Sequence, residues 1–118
     1  MQQQHRLHLN RQFSYVYRKG TRASCKDITI LYIRNAQTRV GFSVSKKVGV
    51  AVVRNRVKRR LRECFRHRVA SLRPGFYVVV ARPVAADKSY AELCRSVDYL
   101  LGKMKLLSQN FPEDGTRQ

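Results

Sequence analysis

Between Arg54 and Arg68 the chain carries Arg54, Arg56, Lys58, Arg59, Arg60, Arg62, Arg66 and Arg68 against a single acid, Glu63. Through the same stretch Val57, Leu61, Cys64, Phe65 and Leu72 recur at the spacing that places them on one side of a helix. The pattern predicts a helix over residues 53–72, ending before Pro74-Gly75. At about 100° per residue, Arg56, Arg59, Arg60, Arg62, Arg66 and His67 share the arc opposite Leu61. Arg56 and Arg60, Lys58 and Arg62, and Arg62 and Arg66 stand at i and i+4, where like charges destabilise an isolated helix. Basic faces usually mix signs into ion pairs. Here 25 Lys and Arg face only 7 Asp and Glu, a formal charge of +18. A polyanion offsets such repulsion, and arginine forks match phosphate geometry and release counterions on binding. Asn55, at the start of this helix, either caps it or turns its amide toward a base or phosphate.

The remaining segments frame that helix. With 118 residues and 43% hydrophobic side chains the chain is one domain with a buried core. Residues 1–9 are polar and basic without a period and read as a flexible arm. Residues 10–107 form the folded domain, and 108–118 read as a disordered tail. Asn10 followed by Phe13, Val16 and Tyr17 predicts a short helix closed by Gly20. Residues 24–34, with Ile28-Thr29-Ile30-Leu31-Tyr32-Ile33, predict a covered strand. Val40, Phe42 and Val44 alternate with Gly41, Ser43 and Ser45, a strand with one nearly bare face. Such a face either lies under a packed helix or admits a nucleotide. A strand over residues 76–81 follows. Ser89 and Glu92 then make a capping box before Leu93, Val97, Leu100, Leu101 and Met104. The fold class is an α/β sandwich, helices packed on one sheet.

No autonomous catalytic set is legible. The acids Asp27, Glu63, Asp87, Glu92, Asp98, Glu113 and Asp114 are scattered singly, and no Gly-rich phosphate loop occurs. Cys25, Cys64 and Cys94 are far apart, without a Cys-x-x-Cys, so neither a zinc site nor a disulfide framework is expected; each reads as a reduced, buried hydrophobe. No run approaches the roughly 18 apolar residues of a membrane span, and Met1–Arg6 lead into no apolar signal core, which makes an intracellular protein the expectation. Phe13, Tyr17 and Tyr32 are candidates for stacking on single-stranded RNA, with core packing as the alternative. A ribosomal or assembly protein, or a duplex-DNA regulator, would share the charge and size.

The run Arg39-Val40-Gly41-Phe42-Ser43-Val44-Ser45-Lys46-Lys47-Val48-Gly49, followed by Ala51-Val52-Val53-Arg54-Asn55-Arg56-Val57-Lys58-Arg59 and Arg62-Glu63-Cys64-Phe65, resembles the protein subunit of bacterial ribonuclease P. The likeness spans about residues 7 to 107, with Tyr17 where the family usually has a second Phe. It implies one mixed four-stranded sheet with about three helices, ribosomal protein S5 domain 2-like, with a left-handed βαβ crossover where sequence rules alone favour the right hand. It also implies a non-catalytic, cytoplasmic partner of a catalytic RNA that uses Mg²⁺ to remove the 5′ leader of precursor tRNA, one protein per RNA, with no metal held by the protein. Carried over residue by residue, Arg54, Asn55, Arg56, Lys58, Arg59, Arg60 and Arg62 would face the RNA subunit. Phe13, Tyr17, Tyr32, Ser45, Lys46 and Lys47 would line the leader cleft.

Overall fold

The computed structural model describes residues 10–107; the expected arm and tail lie outside them. The elements are α1 (Asn10–Lys19), β1 (Thr21–Ser24), β2 (Ile28–Arg34), β3 (Arg39–Val44), α2 (Ala51–Arg66), β4 (Gly75–Ala81) and α3 (Tyr90–Lys103), with 3₁₀ turns at Val69–Ser71 and Pro83–Asp87. One sheet runs in the order β1-β2-β4-β3. β2 pairs antiparallel with β1 and β4, whereas β3 pairs parallel with β4, so the α2 crossover joins neighbouring strands.

Strands β2 and β4 occupy the middle of the sheet, which is why their sequences are almost continuously apolar rather than alternating. Ile28, Ile30, Val40, Tyr77, Val79 and Ala81 point to one face, where Val57, Leu61 and Phe65 of α2 and Leu93, Val97, Leu100 and Leu101 of α3 close the main core. Leu31, Phe76 and Val78 point to the other face and meet Val16 of α1. A Cβ on Gly20 would lie 2.6 Å from the Val16 carbonyl oxygen and 2.8 Å from that of Tyr32, so glycine lets α1 turn directly onto β2. Buried Asp27 anchors the β1–β2 turn: its carboxylate accepts from the Ser96 hydroxyl at 2.8 Å and the Cys25 thiol at 2.9 Å.

Three expectations change. β1 is a separate strand, whose residues carry little apolar signal because its pairing with β2, not its composition, defines it. α2 spans Ala51–Arg66 rather than 53–72. Leu72 leaves the helix to bridge to Leu107, and the Arg68 fork closes the end of α2 on the Cys64 carbonyl and the Asp98 carboxylate. The third change concerns the thiols. Cys64 and Cys94, on facing positions of α2 and α3, form a disulfide with Cα atoms 5.5 Å apart, while Cys25 is free. Helix packing, not sequence spacing, brings them together. Closing a loop of this separation, 30 residues, is worth about 3.7 kcal/mol of stability. Under denaturing, non-reducing conditions alkylation is expected to label Cys25 alone, and reductant should lower the denaturant midpoint accordingly. Labelling of all three thiols without reductant would contradict the bridge.

Candidate nucleic-acid interface

The apolar stripe of α2 is consumed by the core, which leaves its cations on the outer arc and two borders. The border toward α3 holds Arg56 and Arg60. Both reach the chain after β4: Arg60 Nη1 donates to the Lys88 carbonyl at 2.7 Å and Arg56 Nη2 to the Ala86 carbonyl at 3.4 Å. Two arginines of the predicted RNA face therefore also hold the Pro83–Asp87 turn against α2. Arg54 is likewise engaged, its Nε donating to the Gly49 carbonyl at 3.1 Å. Asn55 and Arg59 are exposed on the outer arc, and Lys58 and Arg62 are half-buried on the border beside Phe65, which packs edge-on against Phe42 of β3. The α2 cations thus extend to the outer edge of the sheet.

Beside that edge lies the loop carrying Ser45, Lys46 and Lys47. The Ser45 hydroxyl accepts from the Lys47 amide at 3.3 Å and the Ser45 carbonyl from the Val48 amide at 3.0 Å, a tight turn that leaves all three residues exposed. A Cβ on Gly49 would sit 2.9 Å from Val53 Cγ1, so glycine permits the close entry into α2.

The α1 side of the sheet completes the surface. Gly41 and Ser43 face this side, because their partners Val78 and Val80 do. α1 packs across β2 and β4, leaving on the outer β3 strip a shelf where Ser43 is half-buried and Gly41 buried. Register places Ser43, Val80, Thr29 and Ser24 in one row across the strands, with the Ser24 and Thr29 hydroxyls 2.8 Å apart. Phe13 is half-buried against the Val16 cluster, and Tyr17 is 40% exposed on the same side of α1. The hydroxyl row was missed in the sequence; Thr29 standing between Ile28 and Ile30 was its only trace. Tyr32 is not brought to this cleft. It points to the opposite face, its ring 4.9 Å from that of Tyr77 and its hydroxyl donating to the Pro74 carbonyl at 2.7 Å.

Acids do little to neutralise this surface. Asp27 is buried, Glu92 closes the capping box on Ser89, and Asp98 pairs with Arg68. Glu63 alone lies on α2, where hydrogen bonding from Arg66, with help from His67 at 3.1 Å, holds its carboxyl down at about 2. No group of three or more metal-ligating side chains converges among the described residues.

A basic helix flanking a sheet shelf, on a domain where Asp27, Glu63, Glu92 and Asp98 are all engaged by the protein's own groups, defines an RNA-binding α/β protein. The sequence matches the Ribonuclease P family over residues 1–105, and the chain belongs to that family, giving it a subunit role in tRNA 5′ processing. It is 39% identical over 112 residues to the ribonuclease P protein component of Alkaliphilus metalliredigens, covering 92% of this chain and 100% of that one. The Streptomyces avermitilis component is 40% identical over 114 residues, covering 86% and 92%. Among solved structures, the Staphylococcus aureus RNase P protein superposes with a TM-score of 0.82 at 30% identity, covering 87% of this chain and 97% of that one. The Thermotoga maritima RNase P protein gives 0.71 at 25% identity, covering 88% and 96%.

The Glu63 carboxyl sits below its ordinary 4.5, so its pairing stabilises the helix end above that pH and is lost as pH falls toward about 2. Carbon-detected NMR titration is expected to give Glu63 a midpoint near 2, and an ordinary midpoint would show that Arg66 does not hold it.

Proposed function

We propose that the chain is the non-catalytic subunit of an endoribonuclease whose RNA performs the hydrolysis, one protein per catalytic RNA in the bacterial cytoplasm. The observation that carries this reading is the meeting of the α2 cations with the shelf at a single sheet edge, β3, where two RNA segments can be held side by side. On the α2 side, Arg54, Asn55, Arg56, Lys58, Arg59, Arg60 and Arg62 face the RNA subunit. Arg59 and Asn55 make direct contact, while Arg54, Arg56 and Arg60 also shape the surface through their backbone carbonyl partners. On the shelf side, Phe13 and Tyr17 offer rings to the unpaired 5′ leader, and Ser45, Lys46 and Lys47 take its phosphates. The small side chain of Ser43, half-buried on the β3 strip, lets the strand approach the sheet closely.

The carboxylates of Asp27, Glu63, Glu92 and Asp98 have protein partners and do not converge, so these residues do not form a cradle fitted to Mg²⁺. In this reading any Mg²⁺ would be held by the RNA subunit, and the chemistry it would supply there is activation of water and charge stabilisation at the leaving oxygen. This chain's contribution is binding and orientation, which lowers the entropic cost of placing the scissile bond, and neutralisation of phosphate repulsion where the two RNAs converge.

Three measurements test the reading. At low Mg²⁺, a 5′-extended precursor tRNA should be cut at the mature 5′ end only when protein and a bacterial ribonuclease P RNA are mixed; cleavage by protein alone would refute the non-catalytic role. Arg59→Ala is expected to flatten the log–log salt dependence of RNA-subunit binding by about one unit, the yield of one lost phosphate contact, with an unchanged melting temperature. Phe13→Ala should weaken leader-bearing substrate by about tenfold, the loss of one base-stacking platform, while sparing mature tRNA. Equal losses for both ligands would make Phe13 a packing residue only.

A further inference from the structure

A cavity of about 910 Å³ lies away from the α2 cations and the shelf, and its lining includes Tyr32, Arg34, Arg73, Pro74, Lys105 and Leu106. It opens at the end of the sheet where β2 finishes and β4 begins. The N-terminus of α2 lies at the other end, about 20 Å off along the seven residues of β4. Three cations line the cavity, and among the described residues no carboxylate does.

The backbone of this site is costlier than the fold alone requires. Lys105 follows α3 with φ 59°, the one non-glycine residue with positive φ among the described residues. The turn is a Schellman motif: the Leu106 amide donates to the Leu101 carbonyl at 2.9 Å and the Lys105 amide to the Gly102 carbonyl at 3.1 Å. Glycine occupies this position without the clash that a Cβ brings. Lysine here accepts left-handed strain, of the kind that collects at functional sites, and puts an ammonium on the cavity wall. Arg73 is set beside it, its Nε donating to the Lys105 carbonyl at 3.0 Å and its amide to the Leu106 carbonyl at 2.9 Å. The fold thus fixes two cations next to each other, with Arg34 on the facing strand end.

We propose that this cavity is a second RNA site, in which Arg34, Arg73 and Lys105 receive a phosphodiester segment at the opposite end of the sheet from α2. A volume of this order accommodates a nucleotide unit, and the cation set suits the phosphates shared by the RNA subunit and the precursor tRNA. The inference rests on the RNA-binding reading given above and extends it to a surface that neither the basic helix nor the leader cleft includes.

The test uses the full chain with Arg34→Ala, Lys105→Gly and the double variant, and measures the salt dependence of binding separately for ribonuclease P RNA and for precursor tRNA. Each single variant should flatten the slope for one of the two RNAs by about one unit and the double variant by about two. The RNA that responds identifies the source of the phosphate. Lys105→Gly should melt no lower than the parent, because it relieves the left-handed turn, so its binding loss is not a folding defect. Lys105→Arg, which keeps the charge, should restore the slope. Unchanged slopes for both RNAs overturn the site, and Arg59→Ala measured in parallel separates that failure from a failure of the α2 interface.

Discussion

Burial of β4 on both faces is the constraint from which the other elements take their places. Tyr77, Val79 and Ala81 belong to the main core, while Phe76 and Val78 belong to the smaller cluster beneath α1. A strand covered on both sides must lie inside the sheet, so β3 is pushed to the edge, and with it the shelf of Gly41 and Ser43. The same arrangement puts α2 and α3 together on one face and α1 alone on the other. One helix spans only part of a four-stranded face, packing on β2 and β4.

Electrostatics follows from how the few acids are used. Asp27, Glu92 and Asp98 secure the β1–β2 turn, the start of α3 and the α2–α3 seam, and Glu63 serves the last turn of α2. Of the described acids only Asp87, exposed at the end of the Pro83–Asp87 turn, stands beside the first turns of α2. Part of the repulsion there is relieved by backbone carbonyls: Gly49, Ala86 and Lys88 accept from Arg54, Arg56 and Arg60. These arginines therefore shape the surface they belong to, and their removal is expected to affect more than charge.

Elements carrying their own periodic signal were legible in the sequence. The stripe of α2, the capping box of α3, and the alternation in β3 each reflect a local pattern that tertiary packing reinforces. β1 was not, because only Ala23 among its residues faces the core. The family likeness placed Tyr32 with Phe13 and Tyr17, yet side chains alternate along β2, and a shift of one residue transfers a ring to the other face. The Cys64–Cys94 bridge and the carbonyl partners of Arg56 and Arg60 depend on where α3 and the Pro83–Asp87 turn settle against α2, information held by no stretch of sequence alone.

The docking of α1 has a consequence for biosynthesis. Its platform is assembled from Leu31 together with Phe76 and Val78, and the last of these leaves the ribosome some 62 residues after Val16. At about 5–20 residues per second, that interval is about 3–12 s. Throughout it, the first helix of the nascent chain has only the Leu31 part of its platform, and β3 has no parallel neighbour. The shelf and its aromatic wall come into being together, once β4 has emerged, so a truncated product that stops short of β4 lacks the whole cleft at once rather than one side of it.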